Sequence, residues 1–401
     1  MNRLDMKSRK AVLQSMAKGY KGLRKRDKGS RIGEVMGLLG YRRSYAAWVL
    51  RRYAEEATER PLGVVRPFKR RRKVFYGAPV REVLKWLWVL EDYICGKRLA
   101  PIIPALIAKL VQCGELKTPP GVLRKLSRMS PATMDRILAP EKATNGMKSR
   151  ARTKPGSLLK SQIPIRTFAD WDEHRPGFIE IDLVGHDGGN ASGDFAQTLD
   201  VTDVASGWTE TQAVPNKAQI HVLNALKEIH SRLPFPLYGV DSDNGSEFIN
   251  EHLTRYCREE HLTFTRSRPY RKNDTCFVEQ KNWSVVRRTV GYNRYDTPEA
   301  LTLLNTLYRS LRLYTNFFQP CMKLIDKVRD GAHVTRHHDK AKTPMTRLLE
   351  SPDVEERFKR RLRRLYDQLN PVTLKRKIDE LQLQLEKLTR RDRQKPSHAA
   401  L

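Results

Sequence analysis

The period of the apolar positions changes along the 401-residue chain. In "RIGEVMGLLGYRRSYAAWVLRRY", residues 31–53, Ile32, Val35, Met36 and Leu39 fall at helical spacing before Gly40, and Tyr45, Ala46, Val49 and Leu50 after it. Two short amphipathic helices about a glycine turn predict a helix-turn-helix, with Arg42, Arg43 and Ser44 near the start of the second helix. An ordinary helical hairpin shares this pattern. Residues 79–94 predict a longer helix with Trp86, Leu87, Leu90 and Ile94 on its packed face, and another helix begins near 101. A further pair surrounds Ser130, a candidate cap followed by Pro131 in the first helical turn.

From 141 to 175 neither helical nor strand period is present, and Lys, Arg, Gly, Ser and Pro abound, which predicts a linker. The period then falls to two: Ile179, Ile181 and Leu183 alternate with Glu180 and Asp182. "FAQTLDVTDVASGW" and "TETQAV" follow as strands about a Ser206-Gly207 turn, and 216–233 forms an amphipathic helix through Val222, Leu226, Ile229 and Leu233. Strand, helix, strand and helix succeed one another to about 290. This order predicts a mixed sheet flanked by helices. A further helix starts at 297 with Asp296 and Glu299 as its capping box and Pro298 in its first turn. Beyond 330 the chain reads as irregular, then helical. Leu374, Ile378, Leu381, Leu385 and Leu388 repeat at 4, 3, 4 and 3, a stripe suited either to a partner helix or to packing within the chain.

Charge narrows the class. Lys plus Arg number 76 against 45 Asp plus Glu, a formal +31, and an excess of this size is relieved by a polyanion. Residues 66–73 alone hold six cations, Arg70, Arg71 and Arg72 among them, a stretch suited to following a phosphate backbone. The architecture read here is multidomain: helical DNA-binding-type regions at 1–65 and 66–140, a basic linker at 141–175, an α/β domain at 176–330, and a basic, partly helical region at 331–401. No apolar run suits a bilayer span, and the N-terminus lacks a signal-peptide segment, so a cytoplasmic location on DNA, without a membrane partner, is expected. The five cysteines are scattered without a C-x-x-C pair, which disfavours a disulfide framework or zinc finger.

Cutting a phosphodiester calls for hard oxygen ligands that hold divalent ions at the attacking and leaving oxygens. Asp182 lies on the polar face of the first strand, and Asp243 follows "PLYGV" directly before the Asn244-Gly245 turn. Glu279 opens "VEQKNWSVVRR" after 35 intervening residues, room for a helix, a strand and a basic loop with Arg266, Arg268, Arg271 and Lys272. Asn282 and Val286 would share the face of Glu279, leaving Lys281, Arg287 and Arg288 to DNA phosphates. Asp187, Asp200, Asp203 and Asp241 are the competing acids, with Asp241 supporting the turn or the site from behind. His186 reads as an exposed turn residue, and "RHHD" at 336–339 as a phosphate contact.

"IEIDLV", "DSDNGSEF" and "CFVEQKNW" resemble the three catalytic blocks of the integrase-core (DDE) transposases of bacterial insertion sequences, relatives of retroviral-type integrases. The resemblance is strong over about 175–330. It implies an RNase H-like catalytic domain with a mixed five-stranded sheet, in which Asp182, Asp243 and Glu279 are catalytic and bind Mg²⁺, with Mn²⁺ able to substitute. The implied reaction cleaves at element ends and joins the 3′-hydroxyls to target DNA. The implied partners are double-stranded DNA, as terminal repeats and as target, and further copies of the chain, at least a dimer on DNA. The His/Cys cluster of retroviral-type integrases is missing, so no structural zinc is expected. Two other functions fit the same acids: a nuclease that only hydrolyses, and a DNA-binding regulator with an inert core.

Overall fold

The computed structural model describes residues 5–59, 75–144, 175–243, 245, 247–267, 276–330 and 333–394. The chain forms two compact units, Met1–Val74 and Phe75–Leu401. Arg70, Arg71, Arg72 and linker residues 145–174 lie outside the described residues.

The first unit is helical: α1 (Met6–Ala17), α2 (Lys25–Leu39) and α3 (Arg43–Glu59). Leu13, Val35, Leu39, Ala46, Val49 and Leu50 form its core, so the predicted apolar spacing of the two latter helices is realised. Gly40 ends α2 in the left-handed region (φ 67°), where its N–H bonds the Met36 carbonyl, and α3 begins three residues later. One position differs from the pattern reading. Tyr45 is exposed, and it stacks on exposed Trp48 with ring centroids 5.6 Å apart, while Arg52 lies over Trp48.

The second unit begins with α4 (Ala78–Leu90), α5 (Gly96–Gln112), α6 (Pro120–Ser127) and α7 (Pro131–Thr144). Ser130 caps as predicted, its Oγ accepting from the Thr133 N–H. The buried tryptophan is Trp88, not Trp86. Asp92 and Tyr93 turn the chain back with positive φ, which brings the Ile94 carbonyl to the Trp88 indole N–H at 2.9 Å. These helices are tied to the C-terminal half of the unit: Arg98 donates to the Pro320 carbonyl, and Val372 joins their core.

The sheet holds β1 (Phe178–Gly185), β2 (Gln197–Asp203), β3 (Thr209–Val214), β4 (Gly239–Ser242) and β5 (Thr263–Arg266) in the order β3-β2-β1-β4-β5. β1, β2 and β3 pair antiparallel, while β4 lies parallel to β1 and β5 to β4. This is the mixed five-stranded RNase H-like arrangement. Asp203 accepts from the Ser206 N–H and hydroxyl, and Gly207 (φ 72°) completes the predicted β2–β3 turn. Three helices are arranged around the sheet: α8 (Gln219–Arg232), α9 (Glu251–Glu259) and α10 (Cys276–Lys281). The helical path of α10 runs on through a π-helical stretch, Asn282–Arg287, into α11 (Arg288–Val290). The cap of α12 (Pro298–Phe317) is Thr297, whose hydroxyl accepts from Ala300 N–H; the predicted Asp296 instead pairs with Arg294.

After the sheet come β6 (Leu324–Asp330) and β7 (His333–His338), an antiparallel hairpin spanning the expected 330/331 boundary, then α13 (Pro344–Glu350), α14 (Glu356–Gln368) and α15 (Pro371–Gln394). Ile378, Leu381 and Leu385 of α15 are buried in the core that α12 also builds. The leucine stripe is therefore occupied within the chain and does not offer the interface to a second copy that its heptad spacing allowed.

Candidate active site

The alternation of β1 places Glu180 and Asp182 on one face. Register brings Asp200 of β2 opposite Asp182, and Asp241 of β4 opposite Glu180, so three adjacent strands present four acids to the same side. Each acid has a different surrounding. Asp241 is buried and accepts the Thr265 hydroxyl at 2.5 Å. Glu180, also buried, accepts the backbone N–H groups of Phe277 and Val278 at 2.9 and 3.0 Å. Those N–H groups open α10, so Glu180 both caps this helix and complements its dipole. Asp182 accepts from Asn282 Nδ2 at 2.6 Å and from the Leu183 N–H at 2.8 Å. Two carboxylates of one strand thereby tie down the helical segment that carries Glu279.

Asp243 stands where the sheet ends. Ser242, the last residue of β4, is in register with Ile181, so Asp243 and Asp182 each lie one position beyond that pair on adjacent parallel strands. The Gly245 N–H donates to Asp243 at 2.8 Å, which fixes the carboxylate across the turn. Asn244 lies outside the described residues. Glu279 is exposed, Asn282 is half-buried against Asp182, and Val286 is buried. Asn282 and Glu279 both act on Asp182, the one by a hydrogen bond and the other by its charge, and a π-helical stretch begins at Asn282.

Burial and then the charge of Asp243 push the Asp182 carboxyl up to about 7, against the pull of the Asn282 and Leu183 hydrogen bonds; Glu279 adds a smaller upward push. Burial also raises Asp243, offset by the Gly245 N–H, with Glu247 adding to the rise. The carboxylates of Asp182 and Asp243 thus oppose each other's ionisation, with Glu247 adding to the repulsion at Asp243. Asp200 is fully buried with both oxygens unpartnered, and burial holds it well above the ordinary carboxylate range.

Hard carboxylate oxygens that repel one another fit a divalent cation. Neither Asp182 nor Asp243 pairs with a protein cation among the described residues, and the buried Oδ1 of Asn282, beside Asp182, has no partner. The fit is complete for the two aspartates only. Among the described residues no three His, Cys, Asp or Glu side chains stand close enough to hold an ion together.

The residues assigned to DNA contact fall in unlike places. Arg42, Arg43 and Ser44 are exposed at the start of α3. Arg266 is buried at the end of β5, and Arg268, Arg271 and Lys272 lie outside the described residues. Arg287 donates to the Gly185 carbonyl at 2.7 Å, and Arg288 donates to the Asp92 carbonyl. Lys281 and Arg288 line a cavity of about 190 Å³ with Arg98 and Cys321. His186 is buried, its Nε2 2.7 Å from the Thr198 hydroxyl, contrary to its reading as an exposed turn residue. The capping role of Glu180 was missed because alternation alone cannot separate a helix cap from a solvated acid on the same face.

The sheet order and strand directions define an RNase H-like α/β protein, with four acids of β1, β2 and β4 on one face of its sheet. The chain belongs to the family of the uncharacterized protein y4rM of Sinorhizobium fredii, to which it is 40% identical over 345 residues, 86% of this chain and 96% of that one. No protein-family model matches it. Among solved structures, the catalytic core domain of BIV integrase superposes with a TM-score of 0.30 at 16% identity, over 42% of this chain and 91% of that one. The HTLV-2 integrase catalytic core domain in complex with magnesium, in its dimeric form, gives 0.28 at 13% identity, over 37% and 91%. Strand order and register, not these superpositions, define the fold. Among the described residues no helix is long and apolar enough to cross a membrane.

Proposed function

We propose that the chain is a DNA transposase of the integrase-core class, cutting at the ends of an insertion element and joining the exposed 3′-hydroxyls to target DNA. The observation that carries this reading is the pair of aspartates, Asp182 and Asp243, each one position beyond the last pair of the parallel β1–β4 ladder and neither paired with a protein cation among the described residues. Asp182 and Asp243 would hold Mg²⁺ or Mn²⁺, with Glu279 as a third ligand once α10 brings it to them, and the ion when bound supplies Lewis acidity to the reacting phosphodiester and lowers the pKa of the attacking hydroxyl. Asn282 orients Asp182, the Gly245 N–H orients Asp243, and Glu180 anchors the helix from which Glu279 reaches the strand ends. In the first step water adds to phosphorus and the 3′-oxygen leaves; in the second that 3′-hydroxyl attacks a target phosphodiester and displaces its 3′-oxygen. One ester is exchanged for another, so no nucleotide triphosphate is consumed.

In this reading the helix-turn-helix with Arg42, Arg43 and Ser44 contacts the terminal repeats, and the 66–140 region adds a second DNA contact. Joining two ends brings at least two copies together on DNA, in the cytoplasm. A regulator with an inert core is the second reading, favoured by the exposure of Glu279. The test incubates the chain with labelled element ends, a target plasmid and Mg²⁺ or Mn²⁺, beside Glu279→Gln. Metal-dependent joined products lost in the variant are expected. Cleavage without joining would make the chain a nuclease, and binding without either product would favour the regulator.

A further inference from the structure

α14, "ERFKRRLRRLYDQ", holds six cations in 13 residues. Helical spacing sorts them: Arg357, Arg360, Arg361 and Arg364 recur at i, i+3, i+4 and i+7, and all four are exposed. On the other side Leu362 is buried, and Phe358, Leu365 and Tyr366 pack on the core that the sheet and α12 build. Tyr366 sits 5.7 Å from the Phe318 ring, and Lys109, lying over Tyr366, donates to the Asp367 carbonyl at 3.0 Å. The arginine stripe is thus mounted on a fixed platform.

Neutralisation within the helix is slight. Glu355 and Glu356 pair with Arg357 and Arg363 in exposed positions at its N-terminus. Arg360, Arg361 and Arg364 make no ion pair among the described residues. Like charges three and four apart oppose the helix, so this spacing works against stability unless an external polyanion faces it.

We infer that the stripe Arg357–Arg360–Arg361–Arg364 binds the phosphodiester backbone of duplex DNA, a contact additional to the helix-turn-helix. The inference rests on the reading of DNA as substrate and names a further surface for it. An anionic membrane is the poorer match, because a helix lying in a membrane interface inserts its apolar face, and the apolar face of α14 is already packed against the core. At 1.5 Å per residue the stripe spans about 10 Å. One strand of duplex DNA presents a charge every ~3.4 Å of axis, so about three phosphates lie along it.

The test titrates a short duplex of arbitrary sequence with the full chain over a range of KCl concentrations. It compares wild type, the triple variant Arg360→Glu, Arg361→Glu, Arg364→Glu, and the triple Arg→Lys variant at the same positions. The slope of log affinity against log salt should shrink by about 0.9 for each phosphate no longer neutralised, up to about 3 in the Glu variant. The Lys variant should keep the wild-type slope, and circular dichroism should report an unchanged fold. A wild-type slope in a folded Glu variant overturns this inference alone, as does a slope decrease shared equally by the Lys variant. Wild type that binds no duplex overturns it together with the proposed function. Binding to phosphatidylserine vesicles that depends on the stripe, with duplex affinity unaltered, overturns it in favour of a membrane surface.

Discussion

Two carboxylates of the same sheet, one buried and one half-buried, are surrounded in opposite ways. Glu210, on β3, is wholly buried and accepts from Arg232 Nε at 2.8 Å, from Arg312 Nε at 3.0 and 2.8 Å, and from the Trp208 indole N–H at 2.9 Å. Asp182, two strands away, has an amide and one backbone N–H as donors, and its nearest charges are acids. The protein pairs one acid with two arginines and gives the other no cation among the described residues. A buried charge without a counter-charge weakens the folded state, and Glu210 avoids that cost with two arginines. In the proposed reading Asp182 is left without such a partner because a metal ion supplies the counter-charge.

The sharpest break of this contrast is by substitution. Asp182→Asn should remove metal-dependent cleavage and joining by more than the roughly 10–100-fold that changes behind a metal ligand produce, while leaving the melting temperature unchanged or higher. Glu210→Ala should instead destabilise by about 3–5 kcal/mol, since it strands Arg232 and Arg312. Chemical denaturation of both, beside a joining assay, checks this. Equal destabilisation by the two would erase the distinction.

Acidity gives the next effect. An unfolded aspartate titrates near ~4 and Asp182 in the fold at about 7, so the folded chain holds that proton more tightly. The contribution of this group to stability is full below about pH 4 and is lost as pH rises through about 7. Added Mg²⁺ should raise the melting temperature more at about pH 8 than at about pH 5, and Asp182→Asn should flatten the difference. Calorimetry at the two pH values decides it; a stabilisation independent of pH would mean that Mg²⁺ binds elsewhere.

The smallest effect concerns the tie between the two parts of the site. Glu180→Gln keeps shape but loses the charge facing the Phe277 and Val278 amides, at a cost of about 1–3 kcal/mol locally. Faster hydrogen exchange at those two amides, with the sheet amides unaffected, is the expected signature. Unchanged exchange would show that α10 holds without its cap.

Much of this arrangement was legible because burial on one face leaves a period in the chain. Ile179 and Ile181 announced β1, Val222 through Leu233 announced α8, and the polar alternation put Asp182 on the face it occupies. Where burial leaves no period the reading failed. The β6–β7 hairpin exposes Ile325 and Val328, so no alternation marks it, and Trp86 and Trp88 differ only in which one the turn at Asp92 and Tyr93 covers.

Local order, then, was written in the spacing of the side chains: the helical N-terminal region, the mixed sheet, and the face of β1 that carries Asp182. Neighbours distant in the chain were not. That Glu180 caps α10, that Asp200 lies opposite Asp182 without a partner, and that the leucines of α15 face α12 all depend on register and packing between segments about 20 to 100 residues apart. A carboxylate becomes a cap, a repelled ligand or a neutralised pair according to what the fold places against it, and that environment exists only once the chain has closed on itself.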